Sequence, residues 1–352
     1  MNSTRRTGGS GTRQKRVALA AAAVAAAIAG VVALSGFHQE VRAIDPPGSD
    51  AASEVVGDEI IGIRTFTPPA GLRVDADLEY GVREDGTLLT LDVCRPAEVT
   101  SPSTDASATA DPAAPETTAL PAVVSIHGGS WTRGDKANTD WRNVCLWLAS
   151  EGFVGVSVNY RLVPGAVFPA AIDDVALAVE WLRDPEQAER FGIDPGRIGA
   201  FGGSAGGSLA ALLGTTGDGA LDSGSRVAAV VELSGPVGLG SAALDTDRAS
   251  VWLRGIIADY LGCEPNAPDA HCPQAMEASA ATHVDPSDPP MFIGHSEHEI
   301  VPLGQSTRLA AVLEAAGVPV ELAVVPGGEH SIGILDEPLR ERVATFLHAR
   351  LG

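Results

Sequence analysis

The sequence predicts an α/β chain: a mostly parallel sheet of about eight strands, helices on both faces, and a small cap insertion after the sixth strand. Three observations carry this. Strand-like and helix-like segments alternate along most of the chain, which implies parallel pairs joined by right-handed crossovers. Several strand candidates, such as Ala122-Val123-Val124-Ser125-Ile126, are nearly continuous apolar runs, as strands covered on both faces are. A glycine-flanked serine, Gly202-Gly203-Ser204-Ala205-Gly206, stands between a strand candidate and a helix candidate.

The elements follow in order. Arg5, Arg6, Arg13, Lys15 and Arg16 precede an uncharged, Ala- and Val-rich run from Val17 to Phe37, long enough for a bilayer core. Residues 1–43 are therefore expected to be a signal peptide, cut after Ala43, or a signal anchor. A buried Ala-rich helix is the alternative. The remainder is expected outside the cytoplasm, secreted or anchored to the cell membrane by residues 17–37. Residues 44–70 read as a tether and 71–352 as the folded domain. Strands are expected over Val74–Tyr80, Leu88–Cys94, Ala122–His127, Val154–Asn159, Arg197–Phe201, Val227–Leu233, Met291–His295 and Val318–Val325. The first two lack an intervening helix and predict an antiparallel hairpin. Helices are expected over Trp141–Ser150, Ala170–Arg183, Ala205–Gly214, Leu303–Ala316 and Glu337–Arg350. Residues 100–119 are Ser, Thr, Ala, Pro and Asp with almost no large apolar side chain, and predict a disordered loop within the domain. Residues 236–285 break the alternation and predict the cap.

Composition narrows the function. The 352 residues carry a formal charge of −21, with 45 acids against 24 bases. That disfavours a nucleic-acid partner, which needs a basic face. Of the 4 cysteines, Cys263 and Cys272 are close enough in sequence to staple the cap, leaving Cys94 to pair with Cys145. Four free buried thiols are the alternative.

The chemistry begins at Ser204. A serine on a sharp strand-to-helix turn needs small neighbours two residues away on each side, and Gly202 and Gly206 supply them. The helix behind it aims N–H groups and a positive dipole end at the reacting centre. His127-Gly128-Gly129-Ser130-Trp131 follows another apolar strand, and its glycines suit a loop whose N–H groups approach a developing oxyanion.

In chain order, His127-Gly128-Gly129, Asn159-Tyr160-Arg161-Leu162, Phe168-Pro169-Ala170-Ala171-Ile172-Asp173-Asp174 and Gly203-Ser204-Ala205-Gly206-Gly207 resemble serine esterases of the α/β-hydrolase fold. The similarity is to the hormone-sensitive-lipase and feruloyl-esterase-like branch and runs from Leu72 to Leu351. It implies nucleophile, acid and histidine in that chain order. Two departures stand out. Gly-Gly-Ser-Trp replaces three glycines in the oxyanion loop, leaning toward the feruloyl-esterase side. Gly203 stands where many members have Asp or Glu.

The resemblance places the general base at His330, in the loop Pro326-Gly327-Gly328-Glu329-His330. His283 reads as structural and His348 as solvated. His-Gly-x-x-Asp in many members aligns with His295-Ser296-Glu297-His298-Glu299, which implies Glu299 as the acid, with Glu297 the rival. His295, His298 and the two glutamates also admit a metal-site reading. The expected chemistry is cleavage of a small-molecule carboxylic ester through an acyl-enzyme on Ser204. The oxyanion is held by the N–H groups of Gly129, Ser130 and Ala205, and no cofactor takes part. A peptidase or amidase on the same residues, and a non-catalytic binding domain, are the competing readings.

Overall fold

The computed structural model describes residues 62–96, 119–265 and 271–352. The basic N-terminus, the Val17–Phe37 run, the tether up to residue 61, the 100–119 loop up to residue 118 and residues 266–270 of the cap lie outside them.

Eight strands form one sheet: β1 (Leu72–Val82), β2 (Leu88–Pro96), β3 (Leu120–Ile126), β4 (Val154–Val158), β5 (Ile193–Gly203), β6 (Val230–Leu233), β7 (Met291–Ser296) and β8 (Val320–Val325). Their order is β1-β2-β4-β3-β5-β6-β7-β8. β1 and β2 pair antiparallel, β2 meets β4 antiparallel, and every pairing from β4 to β8 is parallel. The helices are α1 (Thr139–Ser150), α2 (Ala170–Arg183), α3 (Pro185–Phe191), α4 (Ala205–Thr215), α5 (Ser241–Thr246), α6 (Val251–Leu261), α7 (Gln274–Glu277), α8 (Gly304–Ala316) and α9 (Glu337–Leu351).

Strand alternation splits the core into two layers. Val124, Ala200 and Val230 face one side, where Val175 of α2, Leu209 of α4 and Leu309 of α8 cover them. Val123, Phe201 and Val231 face the other, against Trp147 of α1 and Leu347 of α9. Ile63, in a 3₁₀ turn over Gly62–Thr65, is buried in this second layer. α5, α6 and α7 form the cap between β6 and β7. α3 is an addition to the sequence expectation. Asp184 caps it, Pro185 occupies its first position, and left-handed Gly192 ends it, signals that local chemistry supplies in full.

Disulfides join Cys94 of β2 to Cys145 of α1, and Cys263 to Cys272 within the cap. Among the described residues no helix is long and apolar enough to cross a membrane. The longest, α9, has 15 residues and repeated charges, against the roughly 20 apolar residues a bilayer requires. This corrects the expectation of a transmembrane anchor at the cell membrane. The run assigned that role, 17–37, lies outside the described residues.

Candidate active site

The site lies at the carboxyl edge of the central strands, where β3, β5, β6, β7 and β8 each deliver a loop. β5 ends at Gly203 and α4 begins at Ala205, which leaves Ser204 alone on the turn at φ 58°, ψ −125°. A non-glycine residue there is strained, and the surroundings hold it. The Ser204 N–H donates to the Leu233 carbonyl at 2.8 Å. A Cβ on Gly202 would lie 2.0 Å from the Gly206 carbonyl oxygen, and one on Gly206 2.0 Å from that of Ile126. Neither position tolerates a side chain.

The β3 loop wraps over this serine. His127 is buried, stacks on Tyr160 at 4.4 Å, and has its carbonyl held by the Tyr160 hydroxyl at 2.8 Å. Burial pushes its pKa down, so a neutral ring suits this structural place. Gly128 passes so close that a Cβ would lie 3.1 Å from the Ser204 Cβ. Ser130 and Trp131 both adopt φ 56°. The N–H groups of Gly129, Ser130 and Ala205 carry no hydrogen bond to the described residues, unlike most N–H groups around them. Asn159, Arg161 and Asp174 serve the scaffold. Asn159 Oδ1 accepts the Lys136 N–H at 2.8 Å, and buried Asp174 is gripped by Arg161 at 2.9 Å and by Arg83.

The loop after β7 carries Glu299, whose side chain is fully buried. One carboxylate oxygen bonds His330 Nδ1. The other lies 3.1 Å from His295 Nε2 and 3.5 Å from the Ser296 N–H. His295 is buried, with Nε2 donating to the Val301 carbonyl at 2.9 Å and Nδ1 facing the Ser306 hydroxyl at 2.7 Å. Burial pushes the His295 pKa down, which leaves that ring neutral. With Nδ1–H of His330 given to Glu299, His330 Nε2 is the acceptor nitrogen; it is buried and bonded to no protein atom. No hydrogen bond joins it to Ser204 in this structure. Glu297 is exposed, and its N–H serves the Val325 carbonyl at 3.0 Å. Among the described residues no three His, Cys, Asp or Glu side chains converge as metal ligands would. His283 is half-buried and bonds the Glu277 carbonyl at 2.8 Å; His348, exposed, stacks on Phe153 at 4.6 Å.

Two serines escape a reading from sequence. The Ser331 N–H donates to Ser234 Oγ at 3.1 Å, tying the His330 loop to the loop after β6. Ser331 Oγ also occupies the space beside Gly203, 2.2 Å from where a Cβ would stand. No local motif marks either residue.

In front of Ser204 lies a narrow apolar cleft, lined by Trp131, Pro236, Trp252, Leu253, Ile256, Ile300 and Val301. Trp252 and Ile300 are half exposed at its rim. Trp131 stacks on Tyr260 of α6 at 4.2 Å.

Comparison with known proteins agrees with this geometry. The chain is 33% identical over 218 residues to carboxylesterase NlhH of Mycobacterium tuberculosis, covering 60% of this chain and 66% of that one. It is 45% identical over 89 residues to arylacetamide deacetylase of Bos taurus, covering 25% of this chain and 22% of that one. The chain thus spans less than a quarter of that relative's length. A truncated carbohydrate esterase from gut microbiota superposes with a TM-score of 0.62 at 26% identity, over 79% of this chain and 96% of that one. The model of the BD-FAE family matches residues 111–313, more than half of the sequence. The chain has an α/β-hydrolase fold and belongs to the BD-FAE family.

Proposed function

We propose that this protein is a serine esterase that cleaves small-molecule carboxylic esters through an acyl-enzyme on Ser204. The observation that carries the reading is the convergence of a left-handed serine on a strand-to-helix turn, free N–H groups beside it, and a buried Glu299–His330 couple. Glu299 fixes His330 with its proton on Nδ1, leaving Nε2 to take the Ser204 proton as Oγ attacks the ester carbonyl. The N–H groups of Gly129, Ser130 and Ala205 receive the charge that develops on the carbonyl oxygen. His330 then protonates the departing alcohol, and water reverses the sequence.

The small apolar cleft favours a short acyl group, with the alcohol directed past the rim. Within the hydrolases, the Gly-Gly-Ser-Trp loop supports a reading on the feruloyl-esterase side of the hormone-sensitive-lipase branch. The names of its relatives support ester or acetyl-group cleavage rather than peptide cleavage. Two measurements test the proposal. The protein hydrolyses p-nitrophenyl acetate faster than an aminoacyl p-nitroanilide, and Ser204→Ala abolishes both turnover and labelling by a fluorophosphonate. Turnover by Ser204→Ala within tenfold of the parent would refute the assignment.

A further inference from the structure

Glu232 stands at the end of β6, fully buried, flanked in the sheet by Gly202 of β5 and Ile293 of β7. A lone carboxyl group in such a place is costly unless its polar atoms are hydrogen-bonded. One of its oxygens accepts the Gly235 N–H; the other has no partner. The bonded oxygen is wedged between two backbones. It would lie 3.0 Å from a Cβ on Gly207, in the first turn of the nucleophile helix, and 2.8 Å from one on Gly235. The turn it holds is strained, with Ser234 at φ 56°. That turn has two neighbours in the site. Ser234 Oγ receives the N–H of Ser331, next to His330, and Pro236 forms a wall of the cleft.

We propose that Glu232 is a positioning residue: its carboxyl group braces the Ser234-Gly235-Pro236 turn against the first turn of α4, and the braced turn seats His330 and the cleft wall relative to Ser204. The proposal rests on the serine-hydrolase reading above. It adds a residue that touches no substrate and acts through the backbone on both halves of the machinery.

The brace is a neutral acid. Burial pushes its pKa up to about 8; the Gly235 N–H opposes the rise and the charge of Glu299 adds to it. The charged group that acts on it is Glu299. Glu299 projects from the loop after β7, with His330 bonded to one of its oxygens and His295 3.1 Å from the other. α4 and the last six residues of β5, Ile198–Gly203, contain no ionisable side chain. Ionising Glu232 sets an unsolvated anion near Glu299 with one donor in reach, and the turn must give way to relieve it.

The experiment uses the full chain, p-nitrophenyl acetate and a pH series from 6 to 9.5. Glu232→Leu lowers kcat at least tenfold with KM within threefold of the parent, and Glu232→Gln, which keeps the acceptor oxygen, restores most of that at pH 6.5. The parent loses kcat as pH rises through about 8, and Glu232→Gln does not. A Leu variant with full kcat, or a Gln profile that falls in step with the parent's, would overturn the proposal. If Glu232→Leu does not fold, the Gln-versus-parent profiles decide alone. Hydrogen exchange over residues 327–336 reads the brace without turnover: in the parent it quickens above pH 8, and in Glu232→Gln it follows only the intrinsic pH dependence. An absent alkaline response there overturns the brace, whereas a parent inert toward every ester overturns only the hydrolase reading.

Discussion

Glu299→Gln tests the triad at its acid, and the structure sets the size of the effect. Two donors reach this carboxylate, His330 Nδ1 on one oxygen and the Ser296 N–H on the other, and His295 Nε2 lies 3.1 Å from the second oxygen. A carboxylate accepts on both oxygens, but a primary amide offers one oxygen and one donor group. If the amide oxygen faces His330, its NH₂ is pressed against His295 and Ser296, two donors in a fully buried site. If it flips, the NH₂ faces His330 Nδ1 and drives the proton to Nε2, which removes the base. His295 cannot adapt by changing tautomer, because its Nε2–H also serves Val301 and its Nδ1 faces Ser306. The variant also loses the negative charge that stabilises imidazolium. Loss of the correct tautomer in an analogous triad costs about 10⁴-fold. We therefore expect a fall in kcat of at least about a hundredfold, or about 2.7 kcal/mol of barrier. The assay is steady-state hydrolysis of p-nitrophenyl acetate at pH 7.5, with labelling by a fluorophosphonate to count intact sites. Glu297→Gln, at an exposed position, stays within about twofold. Retention of kcat within tenfold by Glu299→Gln, or a larger loss in Glu297→Gln, would refute the reasoning.

Gly203→Asp, which installs the residue common in related chains, drives a Cβ into Ser331 Oγ; kcat drops more than KM changes, and adding Ser331→Gly recovers part of it. Replacing Cys94 and Cys145 together by alanine lowers the free energy of unfolding by up to about 4 kcal/mol, the chain-entropy value for a loop of 51 residues, read by urea titration. Glu232 also gives stability a pH dependence. Its pKa is raised to about 8 in the fold and is near 4.5 in the unfolded chain, so between these values the native state holds the extra proton. Stability then falls as pH rises through that window and levels off above about 8. Glu232→Gln removes this contribution, and its Tm advantage over the parent grows from pH 5 to pH 8.5; a constant difference would show that the carboxyl group is not titrating there.

The sequence carried the sheet because its strands are apolar on both faces, and it carried Ser204 because glycines two residues away on either side are a steric demand of one backbone shape. The candidate oxyanion loop was legible for the same reason at Gly128 and Gly129. Glu299 was legible only through spacing from His295, since nothing local separates it from Glu297; burial does, and burial belongs to the tertiary fold. Ser234, Ser331 and Glu232 were not legible. Their roles come from contacts across 97 residues in one case and from two backbones closing on one carboxyl group in the other. α3 was missed despite clear capping residues, because its seven residues merge in pattern with the end of α2.

The Trp131–Tyr260 stack links two parts of the molecule with different duties. Trp131 follows Ser130 in the loop proposed to hold the oxyanion; Tyr260 lies in α6, whose Trp252, Leu253 and Ile256 line the cleft in front of Ser204. The rings lie 7° from parallel, and Phe168 packs edge-on to Tyr260 from behind. Bulk that displaces α6 therefore transmits to the neighbouring backbone that must meet the transition state. Selectivity in such a device is expressed in turnover more than in affinity. On the proposed esterase reading, an acyl chain that displaces α6 reacts slowly even where it binds, so a ranking of ligands by binding alone would misrank the substrates.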